Sequence, residues 1–295
     1  MQFSWEKREN TLDFALICDP FDKLLKATEN KVEREWPHAL GGVGAHAVPF
    51  LFSLKTARWT YVATCYLLAD KPADRHRHLE FAVAAPPLNR TVLDLVFNAV
   101  FIFDDYSERL CWYLESGLNE VNKKIAQFQN TYGGNPAWDP WLAQFGQINA
   151  PFAETRDRVC SGIQPSKRRF PHPEAILRQK FKSGDSLKFL NYLNDWFYRD
   201  LSSASHGHWM GLGNRATQIL RIEANDDIQL KHAQKYKSDC LVEQVALVLC
   251  LVSEIIAAAQ FDNKPQADYI WGILAAYSLM TKELHEMRYQ KLLSC

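Results

Sequence analysis

DDIQLKHAQKYKSDCLVEQVALVLCLVSEIIAAAQ, residues 226–260, follows Asn225 and runs to Gln260 without a glycine or proline. Asn225-Asp226 supplies a capping side chain, and apolar residues then recur at helical spacing, so one long helix is expected to end near Gln260. Its second half, 241–259, has the length of a membrane span. Glu243, Gln244, Ser253 and Glu254 interrupt it, however, and a buried core helix with its carboxylates paired or at a rim is the expectation.

The same punctuation appears on either side. Asp19-Pro20 suggests a helix start with Phe21, Leu24, Leu25 and Val32 on its apolar face, and three glycines at 41–44 suggest a connector. No strand precedes those glycines and no Gly-Lys-Ser/Thr closes them, so they do not read as a phosphate-binding loop. An aromatic-rich helix is expected over 48–70, ended by Lys71-Pro72. Pro86-Pro87 opens a helix that is apolar on most sides, and Ser107 is placed to cap the next. Gly133-Gly134-Asn135-Pro136 breaks the chain before a shorter helical stretch over 138–163. Short helices are expected from Glu174 to about Leu212, interrupted at Ser183-Gly184-Asp185 and around Ser202. A last helix is expected from Asn263-Lys264-Pro265 to near Leu293. No period-2 alternation is bounded by hairpin turns. The fold class is therefore all-α, a multi-helix bundle with long antiparallel helices. It is read as a single helical domain over 1–295, with an N-terminal helix and connector (1–46), a first half (47–135) and a second half (136–295).

Thirty-four basic residues balance 34 acidic ones, which excludes a generally basic nucleic-acid binder and leaves only local patches to consider. The seven cysteines are scattered, with no Cys-x-x-Cys, so reduced thiols and a cytoplasmic setting are expected. The charged start, MQFSWEKREN, does not resemble a signal peptide. His206-x-His208 and His76-x-His78 place nitrogens two apart, on opposite sides of a helix, and no His-Glu-x-x-His occurs; no metal and no cofactor are expected. Nor is there a Gly-x-Ser-x-Gly elbow.

The candidate chemistry lies in YRDLSSASHGH, residues 198–208, where Arg199 precedes His206. A guanidinium can stabilise charge on phosphoryl oxygens and an imidazole can move a proton near neutrality. RNA carries its own 2′-hydroxyl nucleophile. On an unbroken helix the two side chains would share a face but stand roughly 10 Å apart along the axis. A break at 201–203, or a second copy of the chain, would bring such groups together. Upstream, Lys167-Arg168-Arg169, with Arg156, Arg158, Arg178, Lys180 and Lys182 and the aromatic Phe170 and Phe181, could track a nucleic-acid backbone.

Arg199-Asp200-LSSAS-His206 resembles the signature of the HEPN (higher eukaryotes and prokaryotes nucleotide-binding) superfamily, in which Arg and a polar residue precede a His. The resemblance implies an all-α fold and a metal-independent endoribonuclease acting as a dimer in a defence or toxin system. Arg199 and His206 would be catalytic, with Asp200 as the polar residue. A looser resemblance covers more of the chain. It is to prokaryotic helical proteins of unknown function that share an Arg-x-x-x-Glu helix, a Tyr-bearing helix and a Tyr...Ser...His segment. The matching positions are Arg90, Asp94, Tyr113, Tyr198, Ser202 and His206, with Asp94 in place of the Glu.

Each feature also has a structural reading. Arg199 can pair with Asp195 one turn earlier while the serines cap a helix, Arg90 and Asp94 can form a self-satisfying internal pair, and the basic run can be a solvated loop. The expected partners are RNA and a second copy or another protein. The alternative function is a non-catalytic helical interaction or scaffold protein.

Overall fold

The computed structural model describes residues 15–69, 77–164, 168–205, 209–224 and 226–293. Of these, 84% are helical, and no strand occurs among them. The helices are α1 (Ala15–Glu35), α2 (Val48–Leu68), α3 (Arg77–Phe81), α4 (Ala85–Asp104), α5 (Tyr106–Tyr132), α6 (Asp139–Val159), α7 (Pro173–Ile176), α8 (Gly184–Leu193), α9 (Arg199–Ser205), α10 (Trp209–Glu223), α11 (Asp227–Ala259), α12 (Lys264–Tyr277), α13 (Leu279–Leu284) and α14 (Gln290–Leu293). A π-helical turn over Asn194–Tyr198 joins α8 to α9, and another over His285–Tyr289 joins α13 to α14.

Two compact units are distinguished. The first comprises residues 1–29, 54–96 and 191–295, and the second 30–53 and 97–190.

The first unit is organised around α11. Asp226 caps it by accepting from the Ile228 N–H, and Gln260 ends it in the left-handed region at φ 55°. From Val245 to Val252 every side chain is fully buried, as are Ile255 and Ile256. Each such aliphatic side chain stabilises the fold by about 1.5–3 kcal/mol relative to exposure. Burial of 83% of the most apolar window agrees with a core helix. Glu254, almost fully buried, accepts from Arg288 through both carboxylate oxygens, at 2.5 and 2.8 Å. Trp271 stacks on Tyr289 at 4.9 Å and donates to the Ser253 hydroxyl at 3.0 Å.

In the second unit, the last carboxylate of α4 organises an irregular segment. Asp104, fully buried, accepts from Arg109 at 2.9 Å and from the backbone N–H groups of Lys182 and Ser183 at 2.8 Å each. Arg109 lies 4.0 Å from the Phe101 ring centre and donates to the Lys180 carbonyl. Trp112 and Ser116 hold the backbone of Arg168 and Phe170. Side chains of α4 and α5 thus meet backbone groups at both ends of the segment 168–183, at Arg168 and Phe170 and at Lys180, Lys182 and Ser183.

Beyond it, α5 and α6 form an antiparallel hairpin. Leu118, Val121, Ile125, Phe128 and Tyr132 on α5 follow three-four spacing, and so do Trp138, Trp141, Phe145, Ile148 and Phe152 at and along α6. Phe128 stacks on Phe145 at 5.5 Å and Tyr132 on Trp138 at 4.1 Å, while Asn149 donates to Asn122 at 2.7 Å. At the base, Cys111 and Cys160 are joined by a disulfide with their Cα atoms 5.2 Å apart.

The all-α expectation holds, and several local expectations are corrected. Pro20 lies inside α1 and does not open it, because helical residues precede it from Ala15. Helix α5 begins at Tyr106 and follows Asp105, so Ser107 belongs to its first turn and is not its cap. Ser202 interrupts nothing. The chain is helical from Gly184 to Ser205, and its irregularity is the π-turn at 194–198, where one extra residue per turn is accommodated without a break. The single last helix is instead broken at Ser278, whose extended backbone starts α13. The expectation of reduced thiols fails for Cys111 and Cys160. They lie 49 residues apart, Cys111 on α5 and Cys160 directly after α6, a pairing no local spacing reveals, whereas Cys18, Cys65, Cys240 and Cys250 are free. Lys71-Pro72 and Asn225 lie outside the described residues.

Candidate functional site

On α4, Asn89, Arg90 and Asp94 follow the Pro86-Pro87 opening. Arg90 donates to Asp94 one turn later, and its guanidinium carbon lies 3.7 Å from the centre of the Tyr198 ring. Burial sharpens the ring contact, since 12% of the Arg90 side chain is exposed and Tyr198 is buried, whereas Asp94, with 40% of its side chain exposed, leaves the ion pair partly screened by water. The π-turn that carries Tyr198 also orients the start of α9. Phe197 and Tyr198 are buried, whereas Arg199 and Asp200 turn outward to solvent.

Asn89, fully buried, donates from Nδ2 to Glu243 Oε2 at 3.0 Å. Desolvation pushes the Glu243 carboxyl up to about 7; the Asn89 hydrogen bond opposes this, and the negative charges of Asp200 and Asp239 add to it. Burial likewise raises the Tyr236 hydroxyl and the Cys240 thiol, with Glu243 contributing to both. The first unit therefore gathers a guanidinium set against an aromatic ring and a carboxyl that changes protonation near neutrality. Such a carboxyl can accept or return a proton, and only the charged form would repel a phosphate.

The sequence-derived residues are distributed unevenly over this geometry. Asp200 is within electrostatic reach of Glu243. Arg199 has 75% of its side chain exposed and stands 3.8 Å from Asp195, the loose i,i+4 pair that its spacing allows. Ser202 is half-buried on α9. His206 and His208 lie outside the described residues, as do His76 and Lys167. Of the looser resemblance, Arg90, Asp94 and Tyr198 come together. Tyr113 belongs to the second unit, where it meets the edge of Phe170 at 5.1 Å.

The basic segment also belongs to the second unit, and carboxylates accompany most of its cations. Arg169 pairs with Glu120 at 2.6 Å, Arg156 with Glu115 at 3.1 Å and Asp157 at 3.0 Å, Lys182 with Asp105 at 2.8 Å, and Arg158 with Glu154. Arg168 is exposed, and its carbonyl accepts from Trp112. Among the described residues, no three His, Cys, Asp or Glu side chains are grouped to hold a metal ion.

Asn89, Tyr236 and Glu243 were not singled out as site residues by sequence reading. Asn89 is a lone amide in an apolar helix, and Glu243 an acid in an apolar run, and those two anomalies were the available signals. No family model matches the chain, and neither a curated protein nor a solved structure is significantly similar to it.

Proposed function

We propose that the chain is an HEPN-like RNA-acting protein, a metal-independent endoribonuclease of a defence or toxin system, with Arg199, Asp200 and His206 as its catalytic residues. The observation that supports this reading is that Arg199 and Asp200 of the motif stand exposed at the start of α9, directly after the buried Tyr198 on which Arg90 is set. The exposed Arg199 would stabilise negative charge on the phosphoryl oxygens of RNA. A base would take the 2′-hydroxyl proton as that oxygen attacks phosphorus, and an acid would protonate the departing 5′-oxygen, leaving a cyclic phosphate and a 5′-hydroxyl. His206 is assigned proton transfer by the motif. Glu243, poised near 7, would set the charge of the site through Asp200.

A panel of single-stranded and duplex RNAs, incubated with a chelator, tests the reading. Cleavage is expected from the wild type, lost in Arg199→Ala and His206→Ala at unchanged melting temperature, and only partly restored in Arg199→Lys. The second reading, a non-catalytic helical interaction protein, is favoured by the carboxylates that pair with the basic segment. A wild type inactive on the whole panel would overturn the ribonuclease and leave that reading.

A further inference from the structure

Two of the free thiols meet at one hydroxyl group. Within the first unit, α1 and α2 run antiparallel: Arg58 of α2 reaches Glu29 at 3.2 Å and Asp22 at 3.8 Å, and Tyr61, one turn further along α2, meets Phe21 edge to face at 5.0 Å. One more turn on each helix sets Cys18 opposite Cys65. The buried Tyr61 hydroxyl is hydrogen-bonded to both sulfurs, so they stand no further apart than two hydrogen-bond lengths. A phenol can donate to one sulfur and accept from the other, which suits a pair of neutral thiols. Cys18 and Cys65 are half-buried, whereas Cys240 and Cys250 are buried, so among the described free thiols these two are the ones a small solute can reach.

We propose that Cys18 and Cys65 are a reversible redox pair, joined by peroxide into a disulfide that fastens the start of α1 to the end of α2. Burial pushes the Cys65 thiol up to about 11, although the Tyr61 hydrogen bond opposes this, so Cys65 keeps its proton near neutrality and the first attack falls to Cys18. The Cys18 thiolate attacks one peroxide oxygen, the O–O bond breaks, and the other oxygen leaves with the thiol proton as water. Cys18 is then a sulfenic acid. The Cys65 sulfur attacks the Cys18 sulfur, the S–O bond breaks, and the hydroxide leaves with the Cys65 proton as a second water. Two thiols have lost two electrons and two protons, and one peroxide has been reduced to two waters. Cys65 also packs against the cluster that contains Cys240 and Leu241 of α11, so a bond made there ties the start of α1 to the core helix. The inference does not rest on the RNA-directed reading.

The test is peptide mapping of the full chain, reduced under native conditions, freed of reductant, treated with hydrogen peroxide, alkylated and digested without reductant. A Cys18–Cys65 linked species is expected within one chain, two hydrogens lighter than its separate peptides. Helical circular dichroism should be kept throughout, and dithiothreitol should reopen the bond. In Cys65→Ser, Cys18 should stop at the sulfenic acid and be trapped by dimedone. In Cys18→Ser, Cys65 should be trapped about tenfold more slowly, because it holds its proton. The wild-type map stands whether or not either variant folds. Recovery of Cys18 and Cys65 as free thiols after a large excess of peroxide would overturn the inference. So would a link from either to Cys240, a link between two chains, or one that forms only once the helical signal is lost.

Discussion

Arg90 is held between two partners of different kinds, the Asp94 carboxylate one helical turn away and the face of Tyr198, 108 positions along the chain. One side chain thereby ties α4 to the π-turn that precedes α9. Removing it leaves Asp94 with one donor fewer and uncovers one face of a buried ring. Arg90→Ala is expected to cost about 1–3 kcal/mol in urea unfolding, and Arg90→Lys less, because the ammonium keeps the charge but not the planar stack. In a double-mutant cycle with Tyr198→Leu, a coupling of about 0.5–2 kcal/mol is expected. A coupling of zero would show that the two side chains merely lie side by side.

Glu243 gives the fold a pH dependence of defined sign. Its carboxyl titrates near 7 in the folded chain against 4.5 ordinarily, so between those values the native state binds the extra proton. Stability from this group is present at acid pH and falls as pH rises from about 4.5 to 7, by about 1–3 kcal/mol. Glu243→Gln, which stays neutral and can still accept from Asn89, should melt like the wild type at pH 5 and at higher temperature at pH 8. Superimposable wild-type and variant melting profiles from pH 5 to 8 would contradict this.

The Glu254–Arg288 pair should behave oppositely to a surface ion pair. Both partners are largely withdrawn from water and joined by two hydrogen bonds, so cutting one side strands a buried charge. Either Glu254→Ala or Arg288→Ala is expected to lose about 3–5 kcal/mol, whereas Glu254→Leu with Arg288→Met should recover much of that loss. Chemical denaturation of the three variants measures it; a double variant as weak as the singles would argue against desolvation as the dominant cost.

The Cys111–Cys160 bond closes a loop of 49 residues, and reduction is expected to lower stability by about 2–4 kcal/mol. Peptide mapping without reductant should recover the two cysteines in one linked species. Recovering both as separately alkylated thiols would remove the bond from the native protein.

Sequence reading reached the parts of this fold that are local. Asp226 sits directly before an unbroken apolar run, so the start of α11 and its burial follow from neighbouring residues alone. Arg90 with Asp94 and Arg199 with Asp195 were legible for the same reason, since one turn of helix brings each pair together. Pro20 misled because a proline fits a first turn best, and the helical residues before it carry no capping signal. The π-turn was invisible, as it changes the register without needing glycine or proline. Tyr198 beneath Arg90, Asn89 beside Glu243 and Cys111 against Cys160 join positions 108, 154 and 49 residues apart. Such contacts are set by how helices pack, which a single sequence does not spell out.

Asp104 and Arg109 meet their backbone partners in a fixed order of synthesis. A growing chain has α4 and α5 complete before residues 168–183 are added, so the receiving carboxylate and guanidinium wait for a strap that arrives some 70 residues later. Until then, the Phe101 ring lacks the edges of Phe170 and Phe181 that close over it. A nascent chain stalled before Arg168 would therefore display an aromatic surface beside a carboxylate met by Arg109 alone, an exposed apolar patch of the kind that holdase chaperones retain.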